Sequence, residues 1–221
     1  MSKQNAGITL FISTQCPHCA QMLENITDAL KKGLASQLTI INLSSVTNPE
    51  LYTDIRSVPL LKIDDFEFTG KLTKPELTEM LTALNEERFS NFYFSNQLAD
   101  GKINKVEMLI KKHSDYWLTL VTLAQDIDTK LQVRIGITSI FETLSIQLVE
   151  SHQCNAVIDL LIKASKTKEH SIRVDLIYIL SLIFQAMNDK AKINNTLSDY
   201  IHTLQNDSSD EVKEIIEDVI S

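Results

Sequence analysis

The sequence predicts an α/β domain followed by an all-α domain of helical repeats, and three observations support this fold class. Up to about residue 84, short β-rich runs alternate with one-sided helical patterns. From about residue 85 onward the strand patterns cease. The remaining chain repeats its own apolar pattern about every 40 residues, an interval typical of helical-hairpin repeats. We therefore assign residues 1–84 to the first domain and residues 85–221 to the second.

The first domain is predicted to contain four strands and three helices. Residues 8–12 form a β-rich run, and the helical pattern that follows ends near Gly33. Residues 38–43 form a second strand, so the chain begins with a βαβ unit whose strands are parallel. The final helix has Thr73 or Lys74 as its N-cap. The later elements are a short helix over 49–55, strands over 58–63 and 66–69, and a helix over 75–84.

The second domain is predicted as stacked helical hairpins, because one apolar pattern occurs three times. Its spacing marks one face of an α-helix, and a basic residue follows the first position in each copy. An irregular helical bundle is the alternative. The copies are Val133, Ile137, Ile140, Phe141, Leu144 and Leu148; then Ile172, Leu176, Ile179, Leu180, Ile183 and Met187; then Val212, Ile216, Val219 and Ile220.

These repeats resemble the HEAT-repeat family over residues 110–221. The family's apolar–basic pair is matched at Arg134, Arg173 and Lys213, each preceded by Val or Ile. The middle repeat has Ser165, Lys166 and Thr167 where the family has an aspartate, and the proline common in its first helix is absent. The resemblance implies a surface that binds or selects a protein partner. The other turns offer aspartates at Asp126 or Asp128 and at Asp207 or Asp210.

Charge and composition narrow the possible partners and location. The chain is 43% hydrophobic and 23% charged, typical of an ordinary globular protein. A net charge of -8 repels phosphate backbones and anionic lipid, so we expect neither nucleic acid nor a membrane as partner. The start of the chain lacks a signal-peptide pattern, and the longest apolar run, from Ile177 to Met187, is too short to cross a bilayer. We therefore expect a cytoplasmic protein.

The segment Cys16-Pro17-His18-Cys19 carries the predicted chemistry. It follows a strand and opens a helix, where unpaired N–H groups and the helix dipole stabilise a thiolate over a thiol. We expect an exposed Cys16 that attacks first and a more buried Cys19 that closes the disulfide. Pro17 suits a first helical turn because it has no N–H, and a protonated His18 adds positive charge beside the thiolate.

A zinc site built on the same two cysteines is the alternative. It would need two more ligands. His18 is poorly placed between the cysteines, and Cys154 and His152 belong to the other domain. We therefore expect no metal, and no cofactor other than the redox-active disulfide Cys16–Cys19. Cys154 is expected to be a core thiol.

Val58-Pro59 is the second feature of the predicted site. Proline cannot donate to a sheet ladder, so before this strand it is either a trans residue at the strand start or part of a cis peptide. Together with the Cys-x-x-Cys and the order of elements, it makes residues 6–84 resemble the thioredoxin superfamily. The resemblance implies a protein-disulfide oxidoreductase. It also implies that Pro59 is cis, faces the disulfide and binds extended substrate together with the Val58 backbone.

Several positions depart from thioredoxin itself. Gln15 replaces its tryptophan, Leu10 its buried acid and Ile40 its lysine. The domain is more similar to compact glutaredoxin-like proteins, although only Gly70 stands at their glycine pair, so glutathione binding is not expected. The Cys-Pro-His-Cys and Val-Pro pair of loops is similar in redox tuning to that of the DsbA oxidases.

Two functions remain open from the sequence. The first is a thiol–disulfide oxidoreductase whose helical domain binds or selects a protein substrate. The second is a non-catalytic adaptor in which the thiol pair is a redox switch or vestigial. The intact Cys16, Cys19 and Pro59 favour the first, whereas Leu10 in place of the acid predicts slower proton transfer. The acidic C-terminal end favours a basic or mixed-charge partner, unless it is only the solvated face of a capping helix.

Overall fold

The computed structural model describes residues 7–166, 169–189, 191–192 and 194–220. Its internal contacts divide the chain into two units, one ending at Tyr93 and the other beginning at Phe94. The first unit contains a four-stranded sheet with helices, and the second is all-helical in its described residues. The predicted layout, an α/β region followed by an all-α region, is confirmed.

The sheet of the first unit has the strand order β2-β1-β3-β4. β1 pairs in parallel with β2, while β3 runs antiparallel to both β1 and β4. The parallel pair requires the crossover that α1 supplies. The elements are β1 (Ile8–Ile12), α1 (Cys19–Lys31), β2 (Thr39–Asn42), a 3₁₀ turn (Pro49–Tyr52), β3 (Leu60–Ile63), β4 (Phe66–Thr69) and α2 (Lys74–Asn85), followed by α3 (Phe89–Ala99), which contains the boundary between the units.

One face of the sheet forms the core of the first unit. Leu10 lies opposite Leu61 in the register, and both are fully buried. On β4, the rings of Phe66 and Phe68 meet Tyr93 edge to face at centroid distances of 4.9 and 5.1 Å. The Tyr93 hydroxyl donates to the backbone carbonyl of Glu67 at 3.2 Å, and burial raises the pKa of Tyr93 to about 12. This aromatic cluster therefore anchors the start of α3 on the sheet.

Two local predictions are refined by the structure. Thr73 is the N-cap of α2, and it forms a capping box in which Glu76 accepts from the Thr73 N–H at 2.7 Å. Helix α2 begins at Lys74, so Pro75 is its second residue. The helix predicted over 49–55 is only a single 3₁₀ turn, Pro49–Tyr52.

The second unit is a stack of helical hairpins. The first helices of the hairpins, α5, α7 and α9, pack side by side, and so do the second helices, α6, α8 and α10. The repeated apolar positions of α6 and α8 are buried, as are Val212 and Ile216 of α10. The helices are α4 (Ile103–Lys112), α5 (Tyr116–Ala124), α6 (Leu131–Glu150), α7 (Cys154–Ser165), α8 (His170–Asp189), α9 (Asn195–Leu204) and α10 (Asp210–Ile220).

The repeated basic residues of α6 and α8 link consecutive hairpins. Arg173 of α8 forms a bidentate ion pair with Asp207, which lies in the turn before α10. Arg134 of α6 pairs instead with Asp175 of α8, its Nε lying 3.1 Å from the carboxylate. The turn before α8 has no aspartate for Arg134 to reach, and Thr167 of that turn lies outside the described residues. Lys213 pairs within its own helix, with Asp210.

Helix α8 is the one helix in the described part of the chain that is long and apolar enough, by length and composition, to cross a bilayer. It contains the apolar run that the sequence analysis judged too short. Half of its most apolar window is buried, and the helix packs against α6, α7 and α10. Packing inside the stack therefore accounts for much of its apolar character.

Candidate redox site

The two cysteines lie on the turn that connects β1 to α1. The Ser13 carbonyl accepts from the Cys16 N–H at 3.2 Å, and the Cys16 carbonyl accepts from the Cys19 N–H at 3.3 Å. Helix α1 begins at Cys19, with His18 as its N-cap. Cys16 and Pro17 therefore precede the helix, whereas the sequence analysis placed Pro17 in its first turn.

Cys16 and Cys19 are joined as a disulfide, with their Cα atoms 5.4 Å apart. That separation lies within the usual range for disulfides. Cys16 is half-buried, not exposed as the sequence analysis expected. Cys19 is more buried, as expected, with 4% of the residue exposed. The difference gives an incoming sulfur atom easier access to Cys16 than to Cys19. Pro17 and His18 between them are exposed.

A second loop, distant in sequence, lies against Cys16. The Cys16 Sγ is 3.5 Å from the backbone carbonyl of Val58, and the Val58–Pro59 peptide bond is cis, the conformation that the resemblance implies. Pro59 is buried, and its carbonyl accepts from the Gly70 N–H at 2.9 Å. The fold thus brings together Cys16, Cys19 and Val58-Pro59, which the sequence analysis had assigned to one site.

A cleft of about 260 Å³ lies beside Val58. The sequence analysis did not identify the polar residues that line it. The Ser13 and Ser44 hydroxyls lie 3.0 Å apart, and the Ser44 hydroxyl accepts from the Thr14 N–H at 3.1 Å. Arg56 also lines the cleft. These residues lie in three separate turns and follow no periodic pattern, so only the tertiary structure identifies them as neighbours.

The interior behind the disulfide is apolar, with one buried amide. Leu10 and Met22 are fully buried, and Asn25 is 4% exposed. The Asn25 side chain donates to the Leu72 carbonyl at 2.9 Å, which ties α1 to the loop before α2. Among the described residues, the buried polar side chains are amides and hydroxyls, with no Asp or Glu. Leu10, which the resemblance aligns with a buried acid of thioredoxin, packs in this apolar core.

The third cysteine is separate from this disulfide. Cys154 is a free thiol of the second unit, 5% exposed, and burial raises its pKa although Lys192 opposes the shift. Within the described ranges, no group of three or more His, Cys, Asp or Glu side chains is arranged to hold a metal ion. No protein-family model matches this sequence, and no curated protein matches it at a significant level.

Proposed function

We propose that this chain is a thioredoxin-like thiol–disulfide oxidoreductase whose helical-repeat unit binds or selects the protein substrate. The observation that carries the proposal is the asymmetry of the cysteine pair beside Val58-Pro59. Cys16 is accessible and Cys19 is closed off, as expected of an attacking and a resolving cysteine. No metal or organic cofactor takes part, and a glutathione-poised cytoplasm is the proposed location.

The reduction of a substrate proceeds in two exchanges. The Cys16 thiolate attacks one sulfur of the substrate disulfide, forms a mixed disulfide and releases the other substrate sulfur as a thiolate. The Cys19 thiolate then attacks the Cys16 Sγ, closing the Cys16–Cys19 disulfide and releasing the second substrate sulfur. Two electrons pass to the substrate, and the two departing thiolates take up the protons lost by the cysteines. An external dithiol returns the protein to its reduced form.

The loop at Val58-Pro59 is proposed to hold the substrate chain during these exchanges. The Val58 carbonyl lies against Cys16, so an extended peptide carrying the attacked sulfur would pass beside it. The adjoining cleft offers hydroxyl groups at Ser13 and Ser44 for hydrogen bonds. Pro17 and His18 are proposed to tune the reactivity of Cys16 from their exposed positions between the cysteines.

The second candidate function is a non-catalytic adaptor whose thiol pair is a redox switch or vestigial. One observation favours it: no carboxyl group is buried in the described core to accept a proton from Cys19, and Leu10 fills the place of such an acid. Proton transfer must then use solvent, which slows turnover. Slow turnover with intact partner binding is the behaviour expected of an adaptor.

A turnover assay separates the two functions. The full chain is tested for catalysed reduction of insulin disulfides by dithiothreitol, with Cys16→Ser as the inactive control and Cys154→Ser as the matched control outside the site. Multiple turnovers that require Cys16 but not Cys154 support the oxidoreductase. Rates equal to those of Cys16→Ser would rule it out and leave the adaptor.

The redox properties give an independent check. The positive end of α1 and a protonated His18 favour negative charge at Cys16, so its pKa in the reduced protein should lie below the free-cysteine value of about 8.5. The disulfide should then be a better oxidant than that of a Cys-Gly-Pro-Cys thioredoxin. Thiolate absorbance against pH and equilibration with glutathione buffers measure the two quantities. His18→Ala should make the disulfide harder to reduce, and an unchanged potential would remove the role given to His18.

Substrates can be identified with the full-length Cys19→Ser variant. Without the resolving thiol, the mixed disulfide at Cys16 persists and can be isolated from cells. Proteins trapped by Cys19→Ser but not by the Cys16→Ser and Cys19→Ser double variant are the substrates. If no protein is trapped while insulin reduction is normal, the protein is a general disulfide reductase, and the selection of specific cellular proteins is rejected.

A further inference from the structure

A groove of about 460 Å³ runs between α8 and α10 in the second unit. Its apolar lining includes Val174 and Leu182 from α8 and Ile215 and Val219 from α10, all of them only partly buried. A capping helix that merely faces solvent would present a polar outer face, with its apolar side chains turned into the stack. The α8–α10 groove instead leaves apolar surface open to solvent.

The charged side chains that line the groove are all carboxylates. Glu211, Glu214 and Asp218 project from α10, and they are exposed. A fourth acid, Glu142 of α6, borders the groove and accepts a hydrogen bond at 3.0 Å from the hydroxyl of Tyr178, a lining residue. The groove therefore combines an apolar floor with carboxylates along its α10 side, and Glu142 adds a carboxylate beside Tyr178.

The three basic side chains within α8 and α10 all pair with acids, and one of these acids, Glu211, lines the groove. Arg173 is paired with Asp207, and Lys213 with Asp210. His170 lies 3.0 Å from Glu211 and partly offsets one carboxylate when protonated. The remaining acids keep the groove strongly negative.

The apolar surface continues onto α6. Ile135 is 59% exposed and occupies the position in α6 that Val174 occupies in α8, one repeat later. Ile146 is 46% exposed and follows Glu142 by one turn on the same side of α6. The second helices of the three hairpins thus present a shared surface on which isoleucine, valine and leucine alternate with acids.

We propose that this α8–α10 groove, with the adjoining side of α6, is the docking site for a basic amphipathic helix of a partner protein. Such a helix places Leu or Ile on one face for the apolar floor and Lys or Arg beside it for the acids, which is the recognition mode of helix-in-groove binding. Nucleic acid and anionic membranes are repelled by the same charge. The proposal specifies the partner-binding part of the proposed function and needs none of the thiol chemistry.

The test uses the full-length protein and a fluorescein-labelled peptide of about 18 residues, roughly five helical turns, made of Leu and Lys at amphipathic helical spacing. It contains no cysteine, so binding is independent of Cys16. Anisotropy titration should give saturable binding. The double variant Glu214→Lys, Asp218→Lys should weaken it at least about tenfold, because like charges then face each other. The matched control is the double variant Asp199→Lys, Glu217→Lys, which reverses two exposed acids of the α9–α10 hairpin outside the groove lining. It makes the same total charge change and should alter the affinity less than about twofold.

Three results would overturn the proposal: no saturable binding to the wild-type protein, wild-type affinity in the Glu214→Lys, Asp218→Lys variant, or an equal loss of affinity in the Asp199→Lys, Glu217→Lys control. A peptide of the same composition with scrambled spacing should bind at least about tenfold more weakly, and equal binding would show general charge attraction instead of docking. Circular dichroism of each variant confirms that the helices are retained. Lack of peptide binding alongside normal insulin reduction would reject the groove and leave the oxidoreductase proposal intact.

Discussion

Asp207→Asn changes one atom in the ion pair that joins the last two hairpins. The Asp207 carboxylate accepts two hydrogen bonds from the Arg173 guanidinium and one from the Ser209 N–H at 3.0 Å. Asparagine keeps an oxygen for Ser209 but loses the charge that pairs with Arg173. The variant therefore tests the link between hairpins with little disturbance of the turn.

The expected loss of stability depends on how deeply the ion pair is buried. Breaking a fully buried ion pair costs about 3–5 kcal/mol, whereas an exposed pair contributes about 0–1 kcal/mol. The side chains of Arg173 and Asp207 are 22% and 12% exposed, so the pair lies between these limits. We expect the free energy of unfolding of the second unit to fall by about 2 kcal/mol.

Urea unfolding can be followed specifically in the second unit. Trp117 is the only tryptophan, belongs to α5 and is fully buried, so its fluorescence reports the unfolding of that unit. Asp210→Asn is the matched control, because Asp210 pairs with Lys213 but its side chain is fully exposed. It should leave the free energy of unfolding close to the wild-type value. If Asp207→Asn lowers the free energy of unfolding no more than Asp210→Asn does, the Arg173–Asp207 pair does not stabilise the stack as argued.

The pH dependence provides a second check on the same variant. Arg173 holds the pKa of Asp207 below its ordinary value. A carboxyl with a lowered folded pKa stabilises the fold above its unfolded pKa, and this stabilisation is lost as pH falls through the folded value. The difference in the free energy of unfolding between wild type and Asp207→Asn should therefore be largest near pH 7 and shrink below about pH 4.

Three further predictions concern other parts of the chain. Burial raises the pKa of Asp175 despite its ion pair with Arg134, so the charge of Asp175 opposes folding at pH 7. Asp175→Asn should therefore lower the free energy of unfolding less than Asp207→Asn does, by under about 1 kcal/mol in the same urea assay. Thr73→Ala removes a capping box and should cost the first unit about 1 kcal/mol in thermal melts, with Thr73→Ser close to wild type. In the reduced protein, iodoacetamide should modify Cys16 well before Cys154, as read by peptide mass spectrometry; a faster Cys154 would contradict its burial.

Periodic burial made the helical unit predictable from sequence. The repeated positions of α6 and α8 are buried because each of these helices has neighbours within the stack. In the third copy, Val219 and Ile220 are only partly buried, since α10 is the last helix of the described chain. The partner of Arg134 was not predictable, because Arg134 pairs with Asp175 on the next helix and not with a residue of the turn before that helix.

The candidate site could be predicted from sequence only where its residues lie close together in the chain. Cys16 and Cys19 are one short turn apart, so their spacing alone indicates a pair that can be joined. Val58 lies 42 residues away from Cys16 in sequence, and only the resemblance to the thioredoxin superfamily connected the two. The cleft residues Ser13 and Ser44 carry no such pattern, because their proximity results from the pairing of β1 with β2.

The α8–α10 groove exists only while the terminal hairpin stays docked, because one of its walls is α10 itself. In the described stack, this α9–α10 hairpin packs against α7 and α8, so its local opening requires less free energy than unfolding of the whole unit. A ligand that binds only the closed form stabilises it by about 2.7 kcal/mol when its concentration is one hundred times Kd. Slower hydrogen exchange at the backbone amides of α10 would therefore report occupancy of the groove, even if the disulfide at Cys16 takes no part in the encounter.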